Sequence, residues 1–81
     1  MEKTSVRLNH PIQVNGQQIV ELQLRRPKVR DRLAVEKMSG ADAEKEIRFI
    51  ANLCEVAPND IEELDMSDYA RVQDALTDFL S

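Results

Sequence analysis

Leu8-Asn9-His10-Pro11-Ile12-Gln13-Val14-Asn15-Gly16-Gln17-Gln18-Ile19-Val20-Glu21-Leu22-Gln23-Leu24-Arg25-Arg26-Pro27 is the stretch that decides the fold. Apolar and polar residues alternate on both sides of Asn15-Gly16, which is strand period around the strongest short hairpin signal. Upstream, Val6 and Leu8 extend the first run; downstream, Val20, Leu22 and Leu24 form the second. A two-residue turn at Asn15-Gly16 pairs even positions with odd ones. That would put Val20, Leu22 and Leu24 on the face opposite Ile12 and Val14. Two solutions restore one apolar face. A three-residue loop Val14-Asn15-Gly16 pairs Leu8 with Leu22, or a tight turn is followed by a bulge at His10-Pro11. Pro11 has no N–H for a ladder and belongs at an edge or a bulge in either case.

The remainder reads as helix. Met1 to Thr4 is expected to be a loose terminus. Pro27 ends the second strand and suits the first turn of a helix that runs to about Ser39 and stops at Gly40. Val29, Leu33, Ala34 and Met38 lie on roughly one side of it. Asp42 is expected to cap a second helix, about Ala43 to Glu55. There Ala43, Ile47, Ile50, Ala51 and Cys54 form one stripe, and Phe49, Leu53 and Val56 another. The two merge into an arc wider than half the helix, so this helix is central or shows one stripe to a partner. Pro58 starts a short helical turn with Ile61 and Leu64 inward. Asp65 caps a last helix, about Met66 to Leu80, with the stripe Tyr69, Val72, Leu76, Phe79 and Leu80. The expectation is an α+β fold, β-β-α-α-α. A hairpin (about 5–26) packs on a small bundle of three main helices (about 28–81), in one domain.

Eighty-one residues bury only about 60–65% of their unfolded surface, so stability is modest and a partner or oligomer is a natural supplement. Aromatic residues are Phe49, Phe79 and Tyr69 alone, which makes the core aliphatic. The single cysteine, Cys54, and the lack of a signal peptide or a long apolar run point to a cytoplasmic protein without a membrane span. The net charge of −4 is unevenly spread: residues 1–37 hold eight Lys/Arg against four acids, and residues 38–81 hold three against eleven. A surface divided in this way suits head-to-tail association or a partner of mixed charge.

No catalytic or metal constellation stands out. His10 and Cys54 are each alone of their kind, and zinc needs three or four ligands. Cys54 sits on a helix stripe without a histidine partner and reads as a small apolar residue. The acids Asp60, Glu62, Glu63, Asp65 and Asp68 lack the fixed spacing of a calcium loop, and helix capping explains them. Leu64-Asp65-Met66-Ser67 departs from the Asp-Ser-Leu of acyl carrier proteins, whose fold has no hairpin. The basic run Arg25 to Arg32 has no interleaved aromatics and no helix-turn-helix spacing, so an acidic protein surface is a better partner for it than nucleic acid. An enzyme is not indicated, since no nucleophile or acid–base pair is visible.

Four segments together resemble the small tail assembly chaperones of contractile-tailed phages and prophages. They are Leu8-Asn9-His10-Pro11-Ile12, Glu21-Leu22-Gln23-Leu24-Arg25-Arg26-Pro27, Asp60-Ile61-Glu62-Glu63-Leu64-Asp65-Met66-Ser67-Asp68, and Val72 through Leu80. The resemblance implies a non-enzymatic, cofactor-free protein of the host cytoplasm that binds the tape measure protein and keeps it assembly-competent during virion morphogenesis. It also implies absence from the finished particle and, in many members, a frameshift-extended second form. A final helix stopping at Phe79-Leu80-Ser81 is compatible with such an extension.

A chaperone for a long amphipathic client needs an apolar groove with a charged rim. Phe49, Leu53 and Val56 are the expected groove residues, with Arg25, Arg26 and Arg30 near the rim. A homo-oligomer, a small nucleic-acid-binding regulator and a structural subunit of the phage particle are the other readings.

Overall fold

Asn15 and Gly16 both adopt positive φ, 52° and 80°, as a two-residue type I′ turn requires. They join β1 (Lys3–Val14) to β2 (Gln17–Arg25), the two antiparallel strands of the sheet. This computed structural model describes residues 3–80. Met1 and Glu2 of the expected loose terminus, and Ser81 of the expected extension point, lie outside the described residues. Lys3 and Thr4 already belong to β1.

The tight turn fixes the register. Ile12 pairs with Ile19 beside it, whereas beyond the irregularity Val6 pairs with Leu22 and Arg7 with Glu21. Residues 8–11 therefore face only Val20, which is a wide bulge around Pro11. The bulge at His10-Pro11 is the solution the chain adopts; the three-residue loop, with Leu8 opposite Leu22, is not. Val20, expected to face inward, faces out. Near the turn Ile19 faces inward and beyond the bulge Leu22 and Leu24 do, so Val20 falls at the change of parity and is 43% exposed.

An isolated two-stranded hairpin is marginal in water. Here Val6, Leu8, Ile12, Leu22 and Leu24 cover their apolar face with Ile50, Ala51, Ile61, Leu64, Val72 and Ala75. Those residues come from α2 (Asp42–Cys54), α3 (Pro58–Glu62) with the turn after it, and α4 (Met66–Phe79). Each fully buried aliphatic side chain contributes roughly 1.5–3 kcal/mol of transfer free energy, which suffices without aromatic packing. α2 is the central helix: it packs against α1 (Val29–Glu36), α3 and β2.

The starts of α1, α2 and α3 share one device. The carboxylates of Asp31, Glu44 and Asp60 each accept from the backbone N–H three residues earlier, at Lys28, Ala41 and Ala57. Ala41, not Asp42, is thus the N-cap of α2, and Asp42 is its first residue. Asp65 caps α4 as expected, accepting from the Ser67 N–H at 3.0 Å.

Two expectations about faces are corrected. α1 ends at Glu36 and buries Asp31 and Val35, while Val29, Leu33 and Ala34 point outward and Met38, past the helix end, is exposed with its Sδ accepting from Arg48. Asp31 decides this. It reaches back to Lys28 N–H and across to Arg25, so its side of the helix must face the protein, and Val35 follows one turn later. On α4, Leu80 is 69% exposed, and the buried line runs through Asp68, Val72 and Ala75.

Candidate functional site

α1 is the element whose apolar side the fold leaves uncovered. At about 100° per residue, Asp31 and Val35 lie on the side opposite Val29 and Leu33. Val29 is 79% exposed and Leu33 54%, one turn apart. Arg30 and Lys37 flank this ridge on one side and Arg32 on the other, all exposed. Next to it, Arg32, Val35 and Glu36 form one wall of a groove of about 440 Å³, closed by Asp42, Lys45, Glu46 and Phe49 of α2 and by Leu80. Ridge and groove adjoin because Arg32 and Glu36 belong to both. A smaller depression of about 230 Å³ between α2 and α3 is rimmed by Glu44, Arg48, Asn59 and Glu62.

The residues expected at the site take different places. Phe49 is half-buried and lines the groove. Leu53 is 1% exposed and therefore core, and Val56 packs half-buried against the main cluster. Arg25 forms two hydrogen bonds to Asp31, at 2.9 and 2.7 Å, and is held by that pair rather than offered at a rim. This contact drives the Asp31 carboxyl down to about 2, against the opposing effect of burial and with help from Lys28 N–H. The Arg26 guanidinium lies 5.6 Å from the centroid of the Phe79 ring, a cation–π contact. Arg30 is exposed and flanks the ridge. Val29 and Leu33 were missed as surface residues. The Arg25–Asp31 pair assigns the inward face of α1, and the sequence pattern gives no signal for it.

Glu46 forms part of the groove wall but is engaged inward. Its Oε1 accepts from Tyr69 Oη at 3.1 Å and Gln73 Nε2 at 2.6 Å, which ties α2 to α4. Burial, and then the Glu46 charge, push the Tyr69 phenol up to about 12.

A second arrangement joins β1 to α4. Asp68 has no exposed surface, and its two oxygens accept from Asn9 N–H at 3.1 Å and His10 N–H at 2.9 Å. Arg71, one turn along α4, donates to the same carboxylate. Burial works against the charged form, but these donors outweigh it and hold Asp68 below the usual carboxylate range. The bulge frees two N–H groups from the ladder, and Asp68 takes them up.

Among the described residues, no three His, Cys, Asp or Glu side chains gather to hold a metal ion. Burial pushes the half-buried Cys54 thiol up to about 12, far from a nucleophile's range. No helix among the described residues is long and apolar enough to cross a membrane. The geometry leaves an apolar ridge and groove open at α1 and α2 and closes an internal lock at Asp68.

Residues 5–81 match a protein family described as "Phage tail assembly chaperone proteins, E, or 41 or 14". No curated protein and no solved structure matches the chain.

Proposed function

Because the chain belongs to the phage tail assembly chaperone family over nearly its whole length, we propose that it serves tail assembly by binding the tape measure protein and keeping it assembly-competent. The family assignment supports a protein partner and a non-enzymatic role. The observation that carries the finer reading is the outward ridge of α1, Val29 and Leu33, beside the groove floored by Phe49. A small domain gains nothing in its own stability from leaving these side chains in water. A client with an apolar stripe gains a place to bury it. In this reading the protein works in the host cytoplasm, leaves before the particle is complete, and can act beside a longer form of itself or as a homo-oligomer.

The test is co-expression with the tape measure protein of the same genome, followed by pull-down and size exclusion. A soluble complex containing a client that is insoluble when made alone is the expected result. A client that stays soluble by itself and elutes separately would overturn the reading. Recovery of the protein from purified virions would replace it with the structural-subunit reading.

A further inference from the structure

We propose that the α1 ridge and the adjoining groove receive an amphipathic helix whose apolar stripe is flanked by Asp and Glu side chains. The inference rests on the chaperone reading for the existence of a client; the chemistry of the client comes from the surface itself.

The apolar part sets the shape of the occupant. Val29 and Leu33 stand one helical turn apart, about 6 Å, and point directly away from the packed side of α1. Phe49 and Leu80 lie across the groove, so apolar contacts are offered along a band rather than at a point. A partner helix of about three turns, roughly 16 Å, spans such a band and meets it with residues at i, i+3, i+4 and i+7. A band this narrow has no broad apolar face to sink into a bilayer.

The charges set the chemistry. Arg25 is committed to Asp31, and Arg26 lies over the Phe79 ring. Lys28, Arg30, Arg32 and Lys37 are exposed around the ridge. Among the groove acids, Glu46 is already engaged by Tyr69 and Gln73, which leaves Glu36 and Asp42. Cations outnumber available acids, so carboxylates beside a partner's apolar stripe meet complementary charge, and ammonium groups meet repulsion.

The experiment uses the full-length protein and two synthetic helical peptides. Both carry Leu at the same i, i+3, i+4, i+7 positions; one has Glu flanks and the other Lys flanks. Fluorescence anisotropy is expected to show binding of the Glu peptide and none of the Lys peptide. Affinity is expected to fall about tenfold or more with Leu33→Asp, and to weaken as salt is raised from about 50 to about 300 mM. Leu33 is over half exposed, so the variant is expected to keep the wild-type melting temperature. An R30E/K37E variant, which leaves every apolar contact in place, is expected to invert the peptide preference.

Equal binding of both peptides would overturn the proposal, as would full affinity in both variants. Self-association that Leu33→Asp abolishes would assign the surface to a second copy. Binding to DNA or phosphatidylserine vesicles in preference to the Glu peptide would assign it to a polyanion. A tape measure complex that survives Leu33→Asp would reject this surface while leaving the chaperone reading in place.

Discussion

At the seam between β1 and α4, a carboxylate with no exposed surface closes the joint by accepting two backbone N–H groups. Along α1, by contrast, a single partly buried ion pair fixes which side faces inward and leaves an apolar ridge in water. Both regions spend an aspartate on an arginine, but at different depths. Asp68 is wholly enclosed and joins segments 58 and 59 residues apart in the chain. Asp31 is nearly buried and works within six residues, with the Arg25 side chain 22% exposed. Long-range polar closure makes the seam part of the fold's cooperative unit. Local closure lets α1 be oriented while its outer face stays available.

The largest expected effect tests where the open flank ends. Leu53 lies in α2, as does the groove-lining Phe49, yet it is fully buried. Leu53→Ala is expected to cost about 3 kcal/mol, with a melting temperature lower by roughly 10–20 °C in a scan. A loss no larger than that of a surface substitution would mean that the α1–α2 contact is loose, and the contrast between the two regions would lose its basis.

Next is the seam. Asp68→Ala leaves the Asn9 and His10 N–H groups without their acceptor and Arg71 without its anion. The melting temperature is expected to fall by on the order of 10 °C. Amide exchange at Asn9 and His10 is expected to rise more than at the Ile12–Ile19 pair beside the turn. Asp68→Asn is expected to recover only part of the loss, since its amide keeps one good acceptor. Unchanged exchange at both amides would show that water replaces the carboxylate and that the lock is dispensable.

The parts of this architecture that were legible in the sequence are those with local causes. Asn15-Gly16 announces its own turn because both positions need positive φ. Pro58 and Asp65 mark helix starts because their chemistry suits those positions and no others nearby. Asp68 was legible only as one more acid near a helix start. Its role depends on a bulge 58 and 59 residues away, and nothing in the local pattern of α4 encodes that. The face of α1 was misread for a related reason. In Val29–Glu36 the apolar residues Val29, Leu33 and Val35 do not share one side, so periodicity alone leaves the inward face open. The Arg25–Asp31 pair decides it, and an ion pair between a strand end and a helix start has no periodic signature.

A smaller effect comes from acid. Asp31 is held at about 2 in the folded chain, against an ordinary value of 3.8. A carboxyl whose folded pKa is lowered contributes stability that is fully present above its unfolded value. That contribution is lost as the pH falls toward the folded value. The window therefore runs from about pH 5 down to about pH 2. With part of the pair open to water, its size is about 1–2 kcal/mol. Asp31→Asn is expected to be less stable than wild type at pH 7 and to converge with it near pH 2. Residual acid sensitivity in the variant is expected from Asp65 and Asp68, both also held below the usual range. Parallel stability curves across the window would show that Arg25 does not discriminate the charged form, and the local closure of α1 would need another cause.

The smallest expected effect lies at the C-terminal end of α2. Glu55 adopts the left-handed conformation with φ 60°, and Val56 N–H reaches Ala51 O at 3.0 Å while Glu55 N–H reaches Asn52 O at 3.4 Å. This is a Schellman ending with glutamate at the position glycine usually fills. A side chain there costs backbone strain that glycine avoids, so Glu55→Gly is expected to stabilise the protein by about 0.5–1 kcal/mol. The glutamate has a compensating role: its charge adds a weak attraction to the Arg25 guanidinium, which the hydrogen bond to Asp31 chiefly holds. Removing it relieves the α2 terminus and weakens the support of the α1 pair at once. Glu55→Gly is therefore expected to gain less at low salt than at high salt, because screening removes the charge contribution and leaves the conformational one. A gain independent of salt would show that Glu55 acts on the helix end alone. A loss at every salt concentration would place it within the closure of α1, making that flank less local than the Arg25–Asp31 pair suggests.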